Sequence, residues 1–99
     1  MVEPGKKVRA RIFIKGKVQD VGFRHAAKTR ADRFSVRGFV KNLSQGGVEA
    51  VFEGNSGDVD RMIEYCKVGP FGAQVKEVEI RWEEYQNEFR DFQIVHENV

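Results

Sequence analysis

The sequence predicts an α+β sandwich in the order β-α-β-β-α-β. The sheet is expected to be antiparallel with four strands plus a short C-terminal strand, and two helices pack on one of its faces. Three observations carry this. Apolar and polar residues alternate at period two in three separate segments. Apolar residues recur at helical spacing in two others. Glycine-bearing loops divide the segments in that order.

Each element has its own signal. Val8, Ala10, Ile12 and Ile14 alternate with Arg9, Arg11, Phe13 and Lys15, the pattern of a strand with one buried face, and Gly16 ends it. Residues 16 to 22 read as a loop. Phe23, Ala26, Ala27, Ala31 and Phe34 predict a helix over roughly 22–34 with small residues on its inner stripe. Val36 to Lys41 is the second strand, Ser44-Gln45-Gly46-Gly47 a turn, and Val48, Ala50 and Phe52 an alternating third strand, together a hairpin. Ser56 is the expected cap of the second helix, with Asp58 and Asp60 favourable near its positive end. Val59, Met62, Ile63 and Cys66 form its apolar stripe, and Gly69-Pro70 stops it. Val78, Ile80 and Trp82 alternate with Glu77, Glu79 and Arg81 in the next strand, with Trp82 read as core or as a partial surface plug. After a polar turn around Gln86-Asn87, Phe92 and Ile94 form a short last strand. Right-handed crossovers place both helices on one side of the sheet and the first strand in its centre, the ferredoxin-like arrangement. The alternation predicts that the other face is wet.

Length and composition bound the possibilities. Ninety-nine residues suffice for one domain with one modest core. Residues 1–7 are expected to be a flexible N-terminal arm and 8–99 the single domain. A hydrophobic fraction of 40% and a charged fraction of 32% are those of a globular chain. One Cys excludes an internal disulfide and a zinc site needing two thiolates, and the two His have no carboxylate arrangement suggesting a metal. No apolar run is long enough to span a membrane, and the first residues lack the apolar stretch of a secretory signal, so a cytoplasmic monomer is expected. Seventeen basic and 15 acidic residues leave a formal +2, too little to imply a nucleic-acid partner. The chain is basic before Asn42 and acidic after it, which suits a small anion handled by the first half and equally a plain solvated surface.

Two segments hold candidate chemistry. In Gly16-Lys17-Val18-Gln19-Asp20-Val21-Gly22-Phe23-Arg24, a loop leads from a central strand into a helix. Backbone N–H groups of such a loop and of the first helical turn have no helical acceptor, and the helix's positive end favours an anion. Arg24 stands beside them with a fork suited to two phosphate oxygens. Gly16 and Gly22 allow tight curvature and close approach of a ligand. The same spacing also suits an ordinary strand-to-helix connection with a surface arginine. Asn42 ends the second strand, where its amide can hold a water or satisfy a nearby turn. No GK[ST] follows the glycines, so nucleotide triphosphates have little support.

The run GKVQDVGFR resembles the first signature of the acylphosphatase family, and GFVKNLSQGGVEAVFEG is similar to its second, at Gly38, Phe39, Val40, Lys41, Asn42, Gly46, Val48 and Gly54. The resemblance implies hydrolysis of small acyl phosphates to a carboxylate and inorganic phosphate, with no metal, no cofactor and no phosphoenzyme. It implies that Arg24 binds the phosphoryl oxygens, that N–H groups of Val18, Gln19, Asp20, Val21, Gly22 and Phe23 cradle them, and that Asn42 positions the attacking water. Asp20 departs from the family's usual Gly. That position is expected to need a backbone angle Gly reaches freely, and a carboxylate there opposes a bound phosphate unless it faces water.

The remaining residues receive plainer roles. Cys66 is expected in the core, His25 turns away from Arg24's side of the helix, and His96 lies in the tail without a role. Lys15, Lys17 and Lys41 either draw in the dianion or are simply solvated. An RNA-binding module of the same strand order would need outward aromatics on its central strands, and the third strand offers Glu49 and Glu53 instead. Small-anion sensing without turnover is the other alternative.

Overall fold

The computed structural model describes residues 5–96. Seven elements follow one another: β1 (Lys7–Lys17), α1 (Phe23–Arg33), β2 (Arg37–Asn42), β3 (Val48–Asn55), α2 (Ser56–Cys66), β4 (Gln74–Glu83) and β5 (Phe92–Ile94). The sheet order is β4-β1-β3-β2-β5, with β1 inside it as expected. The four long strands are antiparallel to their neighbours, and β5 runs parallel to β2 at the far edge. The ferredoxin-like reading is therefore right, with the sheet mixed rather than purely antiparallel.

Both helices cover one face. Ala10, Ile12 and Ile14 of β1, Val40 of β2, and Val48, Ala50 and Phe52 of β3 are buried there against Phe23, Ala27 and Ala31 of α1 and Val59, Met62 and Ile63 of α2. Cys66 is fully buried on the same stripe, and burial pushes its thiol up to about 12, so it stays a neutral packing group. Among the described residues, no helix is long and apolar enough to cross a membrane.

Several expectations change. The first strand begins at Lys7, and the Lys6 carbonyl accepts a hydrogen bond from the Ser56 N–H, so the described end of the segment read as an arm is tied down. Residues 1–4 of that segment lie outside the described residues, as do 97–99 of the expected domain. Asn55, not Ser56, occupies the cap position of α2; Ser56 is the buried first residue of the helix. Trp82 is not core: its β4 edge position leaves it 54% exposed beside Lys7, Val8 and Tyr85.

The largest correction concerns the second face of the sheet. The alternation of β1 and β3 predicts that it is wet, yet Arg9, Val51 and Glu53 are buried there. The cause is topological. β4 and β5 lie at opposite edges, so the chain between them must cross the sheet. The expected turn at Gln86-Asn87 is part of that crossing. The Gln86 and Glu88 N–H groups both donate to the Glu53 carboxylate at 2.9 Å. Arg9 donates to Glu53, Glu83 and Glu88, and Phe89 lies against both Arg9 and Phe39.

Candidate active site

β1 and β2 run out at the same end of the sheet, and the loop after β1 is fastened to the turn after β2. Val18 and Phe23 are buried and Val21 packs partly against the same core, so three side chains hold the loop from inside. Gln19 holds it from the side. Its Nε2 donates to the Leu43 and Gly47 carbonyls, each at 2.8 Å. The loop thus sits beside the turn that directly follows Asn42.

The loop's curvature comes from two left-handed residues. Gly22 has φ 77° at the cap position of α1, and an added Cβ would meet nothing there, so backbone angle rather than space favours glycine. Asp20 has φ 61° and is exposed to solvent. The expectation that position 20 requires an angle open to glycine is borne out, and aspartate reaches it as one of the few residues that does so at small cost. Gly16 serves a different purpose from the expected one. A Cβ on it would come within 2.1 Å of the Gln74 carbonyl oxygen, so its absence admits β4, at the irregular register between Lys15 and Gly16, rather than a ligand.

Backbone donors accumulate at this point. No described residue accepts a hydrogen bond from the N–H groups of Gln19, Asp20, Val21, Gly22 or Phe23; the first helical bond runs from Ala26 to Gly22. The first turn of α1 holds no acidic residue, whereas Arg30 and Arg33 complement its last turn. Arg24 lies in that first turn, half-buried, and its Nη1 donates to His96 Nδ1 at 3.3 Å. His96, given no role from sequence, is thus in contact with the candidate arginine. Only the partner strand of β2 could have signalled this, and a three-residue strand leaves a weak pattern.

Asn42 closes β2 opposite Val48, on the same side of the strand as the buried Val40. A turn asparagine would satisfy nearby backbone, but this turn does so without it. Leu43 N–H donates to Gly47, Gly46 N–H to Leu43, and Gln19 takes both of those carbonyls from outside. The Asn42 amide has no hydrogen bond to a described residue. Of the three lysines weighed as dianion attractors, Lys15 pairs with Glu77 and Lys41 with Glu49, both on the opposite face of the sheet. Lys17 has no ion-pair partner among the described residues.

The acylphosphatase family model matches residues 10–94. The chain belongs to the acylphosphatase family. An acylphosphatase of Pyrobaculum islandicum is 55% identical over 91 residues, which cover 91% of this chain and 96% of that protein. Among solved structures, an acylphosphatase from Bacillus subtilis matches with a TM-score of 0.85 and 31% identity, covering 89% of this chain and 98% of the other. One from Coxiella burnetii matches with a TM-score of 0.86 and 29% identity, covering 96% of this chain and all (100%) of the other. The chain is thus an enzyme of a family that hydrolyses acyl phosphates.

Proposed function

We propose that the protein hydrolyses small acyl phosphates at the end of β1 and β2, with Arg24 and the loop N–H groups holding the phosphoryl group and Asn42 holding the attacking water. The observation that carries this reading is that no described residue accepts from the N–H groups of Gln19 to Phe23, which lead directly into Arg24, and that Asn42, just before the turn to which Gln19 is fastened, makes no amide hydrogen bond to a described residue.

The step balances simply. Water oxygen attacks phosphorus in line, the bond from phosphorus to the acyl oxygen breaks, and its electron pair leaves on the carboxylate. A carboxylate needs no proton at neutral pH, so no general acid is required of the protein. An asparagine amide is no base either. The water's proton passes to a phosphoryl oxygen, and the product is inorganic phosphate. What remains for the protein is orientation and charge stabilisation. Fixed backbone dipoles and one guanidinium supply both. The reading requires neither a phosphoenzyme nor a metal.

Hydrolysis of benzoyl phosphate with EDTA present tests this, with Arg24→Ala and Asn42→Ala beside the parent. Turnover in the parent, its near loss in Arg24→Ala, and a large fall in Asn42→Ala are expected. Undiminished turnover in Arg24→Ala would overturn the assignment. A folded parent that binds phosphate without turnover would instead make this chain an anion sensor.

A further inference from the structure

We infer that His96 is a positioning residue of this site, holding the Arg24 guanidinium in its phosphate-binding orientation. The inference rests on the assignment of Arg24 proposed above.

Three observations meet at His96. The first is the contact itself: Arg24 Nη1 lies 3.3 Å from His96 Nδ1. A guanidinium can only donate, so in this contact the ring nitrogen is the acceptor. The second is the strand that carries it. β5 pairs with β2 in the register Gly38 to Phe92, Phe39 to Gln93 and Val40 to Ile94. The Val95 N–H continues the pairing by donating to the Val40 carbonyl at 2.9 Å. In that register His96 arrives level with Asn42. It also shares the parity of the buried Phe92 and so faces the helical layer, as Asn42 does. The third is a second clasp between the same two elements. Lys28, one helical turn beyond Arg24, donates to the Phe92 carbonyl at 2.9 Å. α1 therefore holds this segment at two successive turns, by Lys28 at Phe92 in β5 and by Arg24 at His96 just beyond it.

The division of Arg24's hydrogens gives this contact a use. The ring takes one Nη1 hydrogen. The Nε and Nη2 hydrogens, which lie side by side along the other edge of the guanidinium, remain for two phosphoryl oxygens. A long side chain with several rotatable bonds otherwise loses rotamer freedom when a ligand binds. Fixing it beforehand lowers that cost, so the contact is expected to show in affinity for the phosphoryl group.

The test uses His96→Ala, His96→Asn and His96→Gln in the full chain, with Arg24→Ala alongside. The Asn side-chain oxygen falls near the place of Nδ1, and the Gln oxygen reaches past it. His96→Ala is expected to raise both KM and the inhibition constant of inorganic phosphate by the same factor, roughly 2- to 10-fold, the range of one hydrogen bond at a partly exposed site. kcat and the thermal midpoint are expected to change little, since the His96 ring is exposed. His96→Asn should recover most of the parent's KM and His96→Gln should not. A parent-like KM in His96→Ala, or a raised KM that His96→Asn leaves uncorrected, with Arg24→Ala inactive, would overturn this inference alone. Full activity in Arg24→Ala would overturn the site assignment and this inference with it.

Discussion

Two polar regions of this molecule use similar groups to opposite ends. Across the second face of the sheet, Arg9 and Glu53 are buried, at 4% and 2% exposure, and their groups are matched within the chain. Burial lowers the Arg9 value, but Glu83, Glu53 and Glu88 outweigh it and raise the net value. Burial pushes the Glu53 carboxyl up, but the Gln86 and Glu88 N–H groups and Arg9 outweigh it and hold it below the ordinary carboxylate range. At the end of β1, by contrast, no described residue accepts from the loop N–H groups of Gln19 to Phe23, and Asn42 has no side-chain partner among the described residues. Backbone N–H pairs do opposite work in the two places. At Gln86 and Glu88 they bind a carboxylate belonging to the chain; at Gln19 to Phe23 no described residue accepts from them, and the proposal gives them an anion from outside. A residue type alone does not separate the two uses. Whether its hydrogen bonds are already spent does.

This contrast yields graded expectations. Arg24→Ala should lower turnover by about 10³-fold or more, since a charged donor aimed at the transition state is lost, while leaving the denaturation midpoint near the parent's. Glu53→Ala should do the reverse: about 3–5 kcal/mol less stability in urea unfolding, because Arg9 and two N–H groups lose their buried acceptor, with turnover of the folded fraction near normal. Asn42→Ala should cut kcat by about 10²-fold through loss of water orientation, and leave phosphate inhibition mostly unchanged. An Asn42 variant with full activity would remove that role.

Acid should act on the closed region first. Arg11 and Arg9 hold the Glu83 carboxyl below the ordinary value of 4.5, and Glu53 is lowered as well. The folded protein therefore binds fewer protons than the unfolded chain at these positions. Their contribution is complete above the ordinary carboxylate range and drains away as pH falls through and below it. Thermal midpoints measured from neutral pH down to about pH 3 should fall in the parent and fall less steeply in Glu53→Gln, which has one fewer such carboxylate. The smallest effect is expected from Asp20→Gly. The aspartate already holds the required φ of 61° with an exposed side chain, so activity should rise slightly or stay level. A large fall would give the carboxylate a function.

Much of this architecture is legible in local pattern. Val8 to Lys15 and Val59 to Cys66 show their buried faces by spacing alone, because one sheet face and one helix stripe decide those positions. The loop from Val18 to Phe23 and its neighbour Arg24 read in sequence as a candidate anion site because a glycine-bearing strand-to-helix turn leaves donors free, though the same spacing also suits an ordinary connection. What is not legible depends on distant pairing. Nothing near Glu53 in sequence says that residues 84 to 91 cross over it; that follows only from β4 and β5 occupying opposite edges. The approach of His96 to Arg24 is hidden for the same reason, since it depends on the parallel pairing of a three-residue strand. Gly16 reads as a ligand-approach glycine because sequence does not show that the Gln74 carbonyl occupies that space.

The most direct measurement is a titration of inorganic phosphate into the ¹⁵N-labelled protein, following every backbone amide. Saturable shifts are expected at Gln19 to Phe23 and at the Arg24 side-chain Nε, with Gln86 and Glu88 unmoved. Shifts confined to other residues, or no saturable shift in the loop, would contradict it.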